Sequence, residues 1–91
     1  MEELNNIREM IDCGDVCRAI EALDSLISRT SSPSDELYYL RGNAYRKQGN
    51  WHMALNNYLE AMEINPEGPA SNAYKMAMDI LEFYNKDMFN Q

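Results

Sequence analysis

The stretch Asp35–Gly68, DELYYLRGNAYRKQGNWHMALNNYLEAMEINPEG, decides the fold of this chain. Tyr38, Gly42 and Tyr45 stand four and three residues apart, so on a helix they share one face. Ala54, Tyr58 and Ala61 repeat that spacing further along. Small residues at Gly42, Ala54 and Ala61 let two helix backbones approach, and the rings fill the space beside them. Glycine inside a helix costs about 1 kcal/mol relative to alanine, so Gly42 implies a packing reason. Gln48-Gly49-Asn50 separates the two helices. Gly49 suits a left-handed C-cap and Asn50 suits the N-cap of the next helix.

These positions carry a family resemblance. The tetratricopeptide repeat (TPR) has an aromatic, Leu-Gly, Tyr, Ala, an aromatic, Ala and Pro at fixed gaps over about 34 residues. Tyr38, Gly42, Tyr45, Ala54, Tyr58, Ala61 and Pro66 fall at those gaps, and Arg41 departs from the usual Leu. The chain therefore resembles a TPR protein, which implies a helical solenoid that binds other proteins. The ending from Asp79 to Phe89 looks like that of small stand-alone TPR proteins of anaerobic gut bacteria.

A degenerate repeat precedes the good one. Gly14-Asp15, Ala19, Leu23 and Leu26 lie 35 residues before Gly49-Asn50, Ala54, Tyr58 and Ala61. Leu4, Ile7, Met10 and Ile11 form an apolar stripe ahead of Gly14, with Glu3 and Ile7 in place of the aromatic and glycine. Ser32-Pro33-Ser34-Asp35 reads as a cap, a first-turn proline and a capping-box acid. After Gly68-Pro69, Ala70, Ala73, Tyr74, Ala77, Ile80, Leu81 and Tyr84 form an apolar face. Asn72, Lys75, Met76 and Asp79 form a mostly polar one, as a terminal helix requires. The expectation is an all-α right-handed solenoid: two TPR helix pairs plus a C-terminal capping helix, with helices near 2–13, 15–29, 34–48, 51–64 and 69–85. As one domain, 1–91, it divides into a degenerate repeat (1–33), a well-matched repeat (35–68) and a capping helix with tail (69–91).

The net charge of −7 is spread along the chain and opposes binding to nucleic acid or anionic membranes. No apolar segment follows Met1–Asn6 as a signal peptide would need, and none approaches membrane-spanning length. The expected compartment is the cytoplasm, where Cys13 and Cys17 stay reduced. They form one C-x3-C, and with His52 the single histidine they fall short of a zinc set. Small hydrophobic packing is the expected role for both thiols, and a surface position for His52. Glu2-Glu3 and Asp35-Glu36 sit where acids favour the helix dipole. No phosphate loop, nucleophile motif or cofactor motif occurs, so the expectation is no enzyme and no cofactor.

The resemblance also implies a working surface, the concave face built from the first helix of each repeat. The matching positions are Leu4 and Arg8, then Tyr39, Asn43, Arg46 and Lys47, then Ala73, Ala77 and Ile80. A ring, an amide and a cation at Tyr39, Asn43 and Arg46 suit an extended peptide or protein partner. Arg46 and Lys47 equally suit the last turn of a helix as dipole partners. The carboxylate clamp of some family members is incomplete, with Tyr39 at its lysine position and Ala70 and Tyr74 where further cations would stand. A second reading is structural: Met76, Phe83, Met88 and Phe89 on the C-terminal helix could hide against a second copy as a homodimer.

Overall fold

The computed structural model describes the backbone of residues 2–89 and the side chains of residues 2–83. Five helices follow in order: α1 (Glu2–Asp12), α2 (Val16–Arg29), α3 (Asp35–Gln48), α4 (Trp51–Ile64) and α5 (Pro69–Phe89). The fold is an all-α helical repeat, with no strand among the described residues. α5 runs four residues past its expected end. The expected packing of Tyr84 and the faces assigned to Met88 and Phe89 concern side chains outside the described residues.

Matching chemistry makes the turns. Gly14 and Gly49, 35 residues apart, both adopt φ +89°. At each, the glycine N–H bonds three residues back, Gly14 to Ile11 at 3.1 Å and Gly49 to Arg46 at 3.0 Å. The next N–H bonds five back, Asp15 to Met10 at 2.8 Å and Asn50 to Tyr45 at 2.9 Å. Each helix end thus closes its orphan carbonyls with the same left-handed glycine motif. The caps that follow differ. Asn50 Oδ1 accepts from the Met53 N–H at 3.3 Å, whereas Asp15 makes no side-chain cap bond. Asn50→Ala should therefore cost about 1 kcal/mol in chemical denaturation. Asp15→Ala should cost less, because it removes only an exposed pair with Arg18. Equal losses would show that the Asn50 bond contributes nothing.

The start of α3 differs from expectation. Its N-cap is Ser34, with no side-chain cap bond, and Pro33 stays outside the helix. Asp35 does not close a capping box. Its Oδ2 accepts from Asn65 Nδ2 at 3.4 Å, tying the start of α3 to the turn before α5. Gly68 lies against the same carboxylate, where an added Cβ would come within 2.7 Å of Asp35 Oδ2.

α3 is central, contacting all four other described helices. One buried cluster joins α1, α2 and α3 through Ile7, Ile11, Leu23, Leu37 and Leu40. A second joins α4 and α5 through Ala54, Tyr58, Ala61, Ala70 and Ala77. Tyr39 and Tyr45 of α3 pack against both, so one helix couples the two cores. As expected, Ala70 and Ala77 face inward, while Asn72, Lys75, Met76 and Asp79 are exposed.

Arg41, the departure from the repeat pattern, links three helices. Its Nε donates to Asn57 Oδ1 on α4 at 2.7 Å, and a terminal nitrogen meets Asp24 Oδ1 on α2 at 2.6 Å. Its guanidinium carbon lies 5.4 Å from the centre of the Tyr38 ring. Asn57, only 3% exposed, completes its pairing by donating to the Met53 carbonyl at 2.8 Å.

Candidate functional site

Gly42 builds the site by what it lacks. A Cβ there would lie 2.6 Å from Tyr58 Cε1, so only glycine lets the Tyr58 ring cross α3 at this level. Tyr58 is fully buried, and its hydroxyl donates to Asn43 Oδ1 at 2.5 Å. Burial pushes the Tyr58 hydroxyl above its ordinary pKa. The Arg46 cation and its side-chain hydrogen bond to the Tyr58 hydroxyl oppose that rise, and Tyr39 adds to it. The hydroxyl therefore stays protonated at neutral pH and remains a donor. Tyr39 packs on the same ring, with centroids 6.1 Å apart and planes tilted by 39°.

Two adjoining cavities flank this arrangement. One, about 220 Å³, lies between α1 and α3 and is lined by Arg8, Ile11, Asp12, Tyr39, Leu40 and Asn43. The other, about 170 Å³, lies between α3 and α5. Tyr39, Asn43 and Arg46 form its α3 wall, and Ala73, Met76, Ala77 and Ile80 its α5 wall. Tyr39 and Asn43 line both, so the two cavities meet at these side chains.

The structure brings most of the expected concave residues together. Arg8 is already engaged, paired with the Glu36 carboxylate and donating to Asn5 Oδ1 at 2.7 Å. Ile80 was expected both to pack inward and to line the concave face. At 37% exposure it does the second. Lys47 lines neither cavity, and its Nζ donates to the Asp12 carbonyl at 3.3 Å. Leu4 packs half-buried against the α1–α3 core. Met76, assigned from sequence to self-association, lines the groove while remaining 62% exposed, and Phe83 is 66% exposed further along α5. Sequence reasoning missed the buried Tyr58 hydroxyl as the group that holds Asn43, because the repeat pattern explains the ring and says nothing of the hydroxyl.

The expected packing role of Cys13 and Cys17 is overturned, since both thiols are exposed at the α1–α2 turn. Cys13 directly precedes the left-handed Gly14, and Cys17 lies on the exposed side of the first turn of α2. Cys17 Sγ meets only Gln48 Nε2, at 3.9 Å. No group of three or more His, Cys, Asp or Glu residues among those described could hold a metal. No helix of the described residues is long and apolar enough to cross a membrane.

Comparison with known proteins agrees with this fold. A family model described as "Tetratricopeptide repeat" matches residues 36–67. The human and mouse proteins "Cell division cycle protein 27 homolog" are each 44% identical over 43 residues, which is 47% of this chain and 5% of theirs. The chain thus spans a small fraction of these curated relatives. The solution NMR structure of Bacteroides fragilis protein BF1650 is 54% identical, covers 100% of this chain and 92% of its own, and superposes with a TM-score of 0.88.

Proposed function

We propose a function from one premise: the chain belongs to the tetratricopeptide repeat family, whose members generally serve as protein–protein interaction modules. On this reading the chain is a non-catalytic adaptor or scaffold of the cytoplasm, with residues 1–33 and 35–68 as its two repeats and 69–91 as cap and tail. It holds an extended peptide or protein segment in the groove over α1, α3 and α5. The observation that carries this is the pair of cavities sharing Tyr39 and Asn43, since adjacent pockets on rigid helices suit successive side chains of an extended ligand.

The test begins with a partner captured from lysate of the source cell. Arg46→Glu should weaken its binding about tenfold or more with helicity kept, and Tyr39→Ala should do the same with some loss of stability because its ring packs on both cores, since aromatic and Arg anchors dominate interfaces. Asn43→Ala also strands the Tyr58 hydroxyl, so its loss of binding should come with some loss of stability. Glu60→Ala, on exposed α4 surface, should change little. A second reading, homodimerisation through α5, draws on the exposure of Met76 and Phe83. Normal binding by the groove variants, with binding or dimerisation abolished by Phe83→Ala, would move the working surface there.

A further inference from the structure

Resting on the groove reading above, we propose that the α3–α5 cavity recognises an acidic side chain next to an apolar one within an extended peptide. The carboxylate meets Arg46 and the Asn43 amide, and the apolar side chain lies on the α5 wall.

The charge inventory carries the acidic half. The chain has five arginines, and Arg8, Arg18, Arg29 and Arg41 are each held by a carboxylate of the chain itself. Arg46 makes no such pair among the described residues, and no Asp or Glu lines its cavity. The neighbouring α1–α3 cavity differs, since Asp12 stands there beside Arg8. Its guanidinium meets the neutral Tyr58 hydroxyl but no described carboxylate, so on a chain of net charge −7 it is a local exception to the surface around it.

The Asn43 amide adds direction. Its Oδ1 is occupied by the Tyr58 hydroxyl at 2.5 Å, leaving Nδ2, which bonds nothing among the described residues, as its free edge. Asn43 and Arg46 therefore offer only donors to a ligand, and donors select a carboxylate or carbonyl. Their spacing of three places both on one helix face. Opposite them, Ala73, Met76, Ala77 and Ile80 supply no charge and no side-chain hydrogen bond, so that wall selects an apolar group. A basic side chain in this cavity would face Arg46 with no acid to relieve it.

Selection from a library of random peptides, displayed without a free C-terminus, tests this on the full chain. The native protein should enrich Asp or Glu adjacent to an apolar residue. An acidic protein attracts basic peptides non-specifically, so acidic enrichment would report the local site. Arg46→Gln, at an exposed position, should keep its helicity and the apolar preference but lose the acidic one. Synthetic peptides from the selected pool should bind it about tenfold more weakly, and their Glu→Gln versions should bind both proteins alike. Acidic enrichment that persists in Arg46→Gln, or enrichment of apolar peptides without acids, overturns the proposal and leaves peptide binding by the groove intact. No enrichment at all, including the case of a dimer mass showing the groove covered by a second copy, overturns both.

Discussion

Gly42→Leu is expected to destabilise the chain by about 3 kcal/mol, lowering the melting temperature by roughly 12–24 °C. Even a single added carbon would lie 2.6 and 2.7 Å from two atoms of the Tyr58 ring and 3.2 Å from the Ala54 carbonyl oxygen. The ring has little room to retreat, being fully buried with its hydroxyl on Asn43. The carbonyl belongs to α4, so relief would require separating α3 from α4. Gly42→Ala sets two effects against each other. Helix propensity favours alanine by about 1 kcal/mol, while the contact opposes it. At these distances the contact should win, and Gly42→Ala should melt below the native chain. In a Tyr58→Leu background the same change should become neutral or stabilising. Greater stability of Gly42→Ala in the native background would refute the close-approach account, and with it the argument that glycine makes room for the Tyr58 ring.

What the sequence made legible was local and periodic. Gly49 and Asn50 announce a helix end and a helix start within two residues, and both do so in the structure. The spacing of Tyr38, Gly42 and Tyr45 against Ala54, Tyr58 and Ala61 gives the α3–α4 pair, because close helix packing needs small residues at regular intervals. Tyr39, Asn43, Arg46, Ala77 and Ile80 could be placed on one surface by the family resemblance. The illegible part depends on polar atoms meeting across distant stretches of chain. Nothing near Asn43 signals that its oxygen is taken by Tyr58, fifteen residues on. Asp35 reads as a cap from its neighbours, but Asn65, thirty residues away, uses its carboxylate. Cys13 and Cys17 read as small hydrophobes by residue type, yet both are exposed, Cys13 before the Gly14 turn and Cys17 on the first turn of α2.

Arg41 is the sharpest instance, and it yields the second large effect. Arg41→Leu restores the usual residue of the repeat pattern, yet it should destabilise this chain by about 1–3 kcal/mol. The reason is Asn57. Its Oδ1 is buried and accepts from Arg41 at 2.7 Å, so leucine would leave that acceptor unsatisfied. The change also removes the cation beside the Tyr38 ring and the bridge to α2. Leucine gains little apolar burial in return, because the arginine stem already covers the same surface. The Asp24 pair should matter less. Asp24 is half-exposed, and Asp24→Ala should cost no more than about 1 kcal/mol. If the unpaired acceptor is the main cost, Asn57→Leu added to Arg41→Leu should recover much of the loss, replacing a polar pair by apolar side chains of similar volume. Chemical denaturation of the four chains in this cycle would measure the coupling. A single Arg41→Leu variant at least as stable as the native chain would show that the three-helix link contributes nothing to the fold.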